Sequence, residues 1–411
     1  MNLRRNSIAL ILFLGVQFTS FAQLLPVQYD TLERSHEIIL SGGIDYSGSA
    51  LQNDLTSKFI RGGLITQDIK NASFDRHKRI NRFGGSFSAD AEYRNYNIRM
   101  FKKRDLGMVF KAGTFGFGGA LYSDDVFGMT FYGNDRYVGD TIDMSGLNAT
   151  FTMMQKIGVG LIDVKSKSSV SLNVYNVSNR MSANFRDLSI IQSSDGQDVE
   201  VQMDGEVDVR DNLKFNQGIG FGIDVDFKLP ISLKEDETAY VQFLVKNIGF
   251  AYLYEEQKSY AIDTTISYSG FEFDQLIGDD AIVFDSVDVL DTLGVTSSTS
   301  NRTIMLPGFI QVGKMVDSQN ESMFQSFFGV RLYPTLIYSP YVYAGVHIKP
   351  MDKVYVGANV GYGGFANFRG GLYAGMNFDH FSFGLGTENI VGMISRKGNG
   401  QSLYLRVKCV F

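Results

Sequence analysis

The last ten residues, Ser402 to Phe411 (SLYLRVKCVF), alternate strictly. Leu403, Leu405, Val407, Cys409 and Phe411 fall on one face, and Tyr404, Arg406, Lys408 and Val410 on the other. A period of two is the signature of a strand. This strand has one apolar face and one charged face, and it stops on an aromatic ring, as the closing strand of an outer-membrane β-barrel does. A soluble sheet would show the same alternation, so the rest of the chain has to decide between the two.

The other end reads as a secretory signal: Arg4 and Arg5 precede the apolar run Ile8 to Phe18, and Ser20-Phe21-Ala22 carries small residues where a signal peptidase cuts. Residues 1–22 are therefore expected to be removed, leaving a barrel over 23–411. The run is too short for a bilayer of about 30 Å, and Gln23 is not the cysteine of a lipoprotein. No later stretch reaches about 18 uninterrupted apolar residues, which excludes ordinary membrane helices and leaves membrane strands open.

Composition agrees with a sheet that encloses a lumen. There are 44 glycines against 6 prolines, and with no Trp the 21 Tyr and 33 Phe must supply the interfacial aromatic belts. The formal charge of −6, more negative once Arg4 and Arg5 leave, predicts no nucleic-acid partner. The single cysteine, Cys409, lies on the apolar face of the last strand and reads as a small lipid-facing hydrophobe.

The alternation recurs along the chain. Ile219, Phe221, Ile223 and Val225 oppose Gly218, Gly220, Gly222, Asp224 and Asp226; Val342, Ala344, Val346 and Ile348 oppose Tyr341, Tyr343, His347 and Lys349. Apolar-out and polar-in predicts an all-β fold, a transmembrane antiparallel barrel of about fourteen strands. Every second connection is short, as at Asp163, Pro350–Asp352 and Asp379-His380, whereas 48–83, 119–144, 179–213 and 251–303 are long, as outer loops are. Val199 to Val209 alternates with acids, so a hairpin is expected to continue above the membrane. The aspartates between 274 and 291 read as solvated exterior; calcium is the less favoured alternative, because the loop spacing of a calcium motif is missing.

The segment 48–83 alone looks helical. Leu51, Leu55, Phe59 and Ile60 share a face at helical spacing, behind Asn53-Asp54 as a cap. Such a stripe is buried either in the barrel mouth, as a plug, or on the outer rim; the mouth is the expectation.

No HExxH, CxxC, Walker loop or GxSxG occurs, so no cofactor, metal site or catalytic residue is assigned. The run Gly361 to Gly375 lacks the Lys-Ser/Thr ending of a phosphate loop, and its glycines are expected to make room for tyrosines on neighbouring strands. Lys246, Arg331, His347, Lys349, Arg369 and Arg406 fall on polar strand faces and are the candidate lumen-lining contacts.

The runs FQSFFGVRLYPTLIYSPYVYAG (324–345), NVGYGGFANFRGGLYAGMNF (359–378), GQSLYLRV (400–407), QKIGVG (155–160) and VKNIGFAYL (245–253) resemble an uncharacterised family of outer-membrane β-barrels from Bacteroidota. That resemblance implies a barrel in the outer membrane of a Gram-negative cell and no established substrate. More distantly, the size resembles the long-chain fatty-acid channel group, which includes passive transporters of hydrophobic compounds and a shuttle barrel of the type IX secretion system.

A barrel of about fourteen strands encloses a lumen that has to be gated or plugged. Passive uptake of a hydrophobic or amphipathic small molecule is the leading expectation. The alternative is a non-transporting barrel, surrounded by outer-membrane lipid, that holds surface or periplasmic protein partners. A surface hydrolase is the weakest class.

Overall fold

The computed structural model describes residues 28–30, 35–98, 105–209, 215–234, 237–254, 258–268, 295–299 and 301–411. The expected signal segment and the acidic stretch 274–291 lie outside them.

Fourteen antiparallel strands close into one barrel. They are β1 His36–Gly48, β2 Asn81–Asn95, β3 Leu106–Tyr122, β4 Asn148–Asp163, β5 Ser169–Gln192, β6 Gly218–Lys234 and β7 Glu237–Leu253. The second half continues with β8 Phe309–Lys314, β9 Phe324–Leu332, β10 Ser339–Met351, β11 Val354–Gly364, β12 Phe368–Asn377, β13 Phe381–Thr387 and β14 Gly400–Val410. Each strand pairs with its sequence neighbours, and β14 closes on β1 from Glu37 opposite Val410 to Ser47 opposite Gly400. The fourteen strands expected from the alternation are all present. The turn expected over Leu229–Glu235 is tighter than that, because β6 runs on to Lys234 and β7 starts at Glu237.

The alternation decides which side chain meets lipid. In β1 Ile38, Leu40 and Ile44 are exposed while Glu37 and Asp45 are buried; in β10 Val342 and Val346 point out while Tyr341 and His347 are fully buried. Backbone geometry makes room for the inner rings. A Cβ on Gly361 would overlap the Tyr341 ring, and one on Gly357 the Tyr373 ring, so each tyrosine lies flat over a glycine of the adjacent strand.

One break in the alternation matters. The β6–β7 register shifts between Val245 and Ile248, and Asn247 adopts φ 57°, in the left-handed region. This bulge turns consecutive side chains, Lys246 and Asn247, into the barrel, where both are buried.

On one side the wall rises far above the membrane. The 24 residues of β5 come to about 80 Å of strand at about 3.3 Å each, whereas an apolar band of about 25 Å crossed at about 40° needs only about 35 Å. The upper half of β5 pairs with Val199–Val209, which pairs in turn with Lys258–Tyr268. The hairpin expected above the membrane is therefore present, and Lys258–Tyr268 widens it. Arg302 ties its acidic face, reaching Glu206 and Asp208 at 2.8 and 2.6 Å.

Three helices cap the rim beside β2 and β3: α1 Asn53–Arg61, α2 Gln67–Phe74 and α3 Asp124–Tyr132. The first two fall in the expected helical segment; α3 was not anticipated. Leu55 is buried in a cluster with Tyr122 and Phe127, against which Leu51, Ile65, Ile69 and Phe74 pack. The Asn53 amide donates to the Gly392 carbonyl at 2.7 Å, which pins α1 to the β13–β14 loop.

Candidate functional site

Two cavities are stacked inside the barrel. The outer one is an aromatic collar built by loops that fold inward instead of rising above the rim. The β9–β10 loop brings Tyr333, Ile337 and Tyr338 into the lumen, and the β11–β12 loop brings Phe365. These meet Phe115 and Phe117 of β3. Tyr333 stacks on Phe117 with ring centroids 4.6 Å apart, Tyr338 meets Tyr333 at 4.6 Å, and Phe365 packs edge-on to Tyr338 at 5.1 Å. The cavity they enclose is small, about 30 Å³, and is also lined by Phe309, Arg331 and Asp45.

Below it, toward the end that carries the start of β1 and the end of β14, lies a charged chamber of about 100 Å³. Its walls hold eight cationic side chains and six carboxylates. Asp224 receives Lys156 Nζ at 3.0 Å and Lys111 Nζ at 3.3 Å. Asp90 receives Lys246 Nζ at 2.9 Å and faces Lys156 Nζ at 3.6 Å. Arg94 joins Glu92 and Glu37, Lys228 joins Asp226, and Lys408 joins Asp30. The Asn247 bulge organises the centre: its N–H donates to Asp224 at 2.8 Å and its side-chain oxygen accepts from Lys156 at 2.9 Å. A charge taken from water into such a wall is tolerable only when paired, and this is what the network provides.

Lys246 and Tyr404 line both cavities and so form the partition between them. The Lys246–Asp90 pair links β7 to β2 across the lumen, since four strands separate them along the wall on one side and eight on the other. At the far end of the chamber Gln28-Tyr29 pairs in parallel with Val316-Asp317, next to β8, while Asp30 reaches Lys408 on β14. Residues 28–30 thus cross the opening from one wall toward the other.

The six expected lumenal contacts divide. Lys246 and Arg406 line the chamber, and Arg331 lines the collar, as Lys246 also does. The other three line neither cavity. Arg369 is buried with its Nη1 shared between the two Asp45 carboxylate oxygens at 2.9–3.0 Å, under the Tyr341 ring, so its charge is already answered. His347 lies among tyrosines, its Nδ1 3.0 Å from the Tyr373 hydroxyl. Lys349 donates to the Ser318 and Asn320 carbonyls and clamps the β8–β9 turn.

The expected plug stripe also divides. Leu55 is fully buried and Leu51 packs beside it, but Phe59 and Ile60 remain 40% and 43% exposed. Their helix buries its apolar face against α2 and α3 in a cluster separate from the lumenal rings. The neighbouring loop supplies α3, whose Phe127 and Phe131 pack with this stripe, so α1 has an apolar partner other than the lumenal rings. The rings packed together inside the lumen are those of Tyr333, Tyr338 and Phe365, with Phe115 and Phe117.

Asp90, Glu92, Arg94, Lys111, Lys156 and Asp224 were not among the expected contacts. Their signal was available: each is the polar member of an alternating strand. Of the collar, Tyr333, Ile337, Tyr338 and Phe365 sit in loops, where alternation has no meaning.

No known protein family matches the sequence, and no curated protein matches it, so the resemblance to a Bacteroidota family gains no support from sequence comparison. Among solved structures, a mutant of the monoaromatic hydrocarbon channel TodX matches with a TM-score of 0.41 at 9% identity, covering 92% of this chain and 91% of that one. The Pseudomonas putida toluene transporter TodX gives 0.31 at 9% identity, covering 95% of each chain. The translocator domain of the Neisseria meningitidis autotransporter NalP gives 0.28 at 8%, covering 93% and 91%. Similarity at this level says nothing about what passes through the lumen.

Proposed function

We propose that this outer-membrane-type barrel is a gated, passive conduit for small amphipathic molecules. The observation that carries the reading is the pair of stacked cavities sharing Lys246 and Tyr404: apolar rings above, charge below, with one partition between them. A molecule with an apolar body and a polar head meets a matching wall in each half. The collar's cavity, about 30 Å³, is far smaller than the ~300–1,000 Å³ of small-molecule sites, so such a molecule passes only when the rings part. No step of chemistry is required, and the residues invite none.

Opening the collar tests this. Replacing Tyr333 and Tyr338 together by Ala removes two of the rings that close the outer half. In planar bilayers the wild-type protein is expected to be nearly silent and the double variant to conduct ions. A correctly folded double variant that stays silent would end the conduit reading.

The tall wall of β5 with Val199–Val209 and Lys258–Tyr268 supports a second reading, a surface that holds partner proteins. Stoichiometric proteins recovered with the full-length barrel from native membranes, and lost when 186–207 is replaced by a short turn, would favour it.

A further inference from the structure

All six carboxylates of the chamber are engaged by cations, yet the cations outnumber them by two. One surplus guanidinium is identifiable. Arg406 points into the chamber from β14, between Tyr404 and Lys408, and makes no hydrogen bond or ion pair among the described residues. Arg94, Glu92 and Asp226 act on it at longer range, but these three are already paired, Arg94 with Glu92 and Asp226 with Lys228. A second group lacks a partner: the Ser169 hydroxyl lines the same chamber, is 3% exposed, and finds no hydrogen-bond partner among the described residues.

A buried hydroxyl without a partner and a surplus guanidinium facing one cavity are complementary to an acceptor-rich anion. The planar fork of Arg406 suits two oxygens at once. Positive excess lining a narrow cavity attracts anions more strongly than the same charges would on an open surface.

We propose that the chamber is a binding site for a small oxyanion, either the head of an amphipathic solute or a free ion, with Arg406 as its anchor. This deepens the conduit reading by naming the charge of the solute's head. Neutral and cationic heads lose the Arg406 contact, and a cation also meets the positive excess.

Titration calorimetry on the full mature barrel, folded in detergent, tests it with benzoate, phenyl phosphate and inorganic phosphate against benzyl alcohol and benzylammonium. The organic anions are expected to bind at least tenfold more tightly than either control. Arg406→Gln should weaken benzoate at least tenfold and Arg406→Lys by less, with folding followed by heat-modifiable mobility. Inorganic phosphate binding as tightly as phenyl phosphate would identify a free ion as the occupant; tighter phenyl phosphate would identify a solute head. Should the variants fail to fold, the wild-type series decides alone, since benzylammonium or benzyl alcohol binding as well as benzoate would overturn the proposal. A folded Arg406→Gln protein with unchanged benzoate affinity would overturn it too. Anion binding in a barrel whose collar variant never conducts would leave this site standing and remove only the conduit reading.

Discussion

Asp224→Asn isolates what the ionic partition contributes to stability. Asp224 is 1% exposed and answers two lysines, Lys156 at 3.0 Å and Lys111 at 3.3 Å, while accepting the Asn247 N–H. The asparagine keeps Oδ1 as acceptor for that N–H, removes the charge, and turns an amide NH2 toward the two lysines that Oδ2 had received. Stripping one member of a buried pair costs about 3–5 kcal/mol. Here Asp90 remains 3.6 Å from Lys156, and the Asn247 oxygen still accepts from it at 2.9 Å. The expected loss is therefore roughly 2–3 kcal/mol, at or below the lower end of that range. Urea unfolding in phospholipid vesicles, followed by heat-modifiable mobility, measures it. Adding Lys156→Met removes the stranded cation, and the double variant should recover about 1–2 kcal/mol. If Asp224→Asn lies within about 0.5 kcal/mol of wild type, or the second substitution recovers nothing, the network is hydrated decoration and the partition argument fails.

Other expectations are simpler. Val356→Arg places a cation on the lipid face, at a cost of about 2–4 kcal/mol near the bilayer middle, whereas Asn359→Arg faces inward and should cost far less; equal loss of folded barrel in both would refute the assigned faces. His77 is half-buried on Phe127, donating from Nδ1 to the Ser73 carbonyl at 2.7 Å and accepting from the Tyr122 hydroxyl at 3.1 Å. Burial holds its pKa below the ordinary 6.5. The unfolded cap therefore binds the proton first: cap stability is complete above about pH 6.5 and falls as the pH drops below it. Hydrogen exchange across 53–77 should accelerate under acid, and His77→Phe should flatten that dependence. Replacing Leu55 and Phe59 together by Asp should free the helical cap to proteolysis while the lumen stays closed; ion conduction by that variant would return the barrier to α1.

Much of this protein is local in origin, and that part was legible. Side chains on a strand alternate because of covalent geometry, so Ile38 against Glu37, or Val346 against His347, already states which residue meets lipid and which meets the lumen. Short and long connections then order fourteen strands around the ring. Even Gly361 was readable as a seat for a tyrosine, although which tyrosine takes it depends on the pairing register.

The lumen's contents were decided elsewhere. Lys246 meets Asp90 across 156 positions of sequence, and Arg369 meets Asp45 across 324. Alternation placed Lys246, Arg369 and Arg406 on the same inner wall, but only ring closure decided that the first two are neutralised and the third is not. The helical stripe of Leu55 and Phe59 announced that it needed an apolar partner without saying which. That partner came from α3, while loops with no period of their own, carrying Tyr333, Tyr338 and Phe365, took the place inside the barrel. A one-dimensional pattern records which face of a strand is apolar; which groups converge within the enclosed space depends on contacts between distant segments, and these exist only once the sheet has closed.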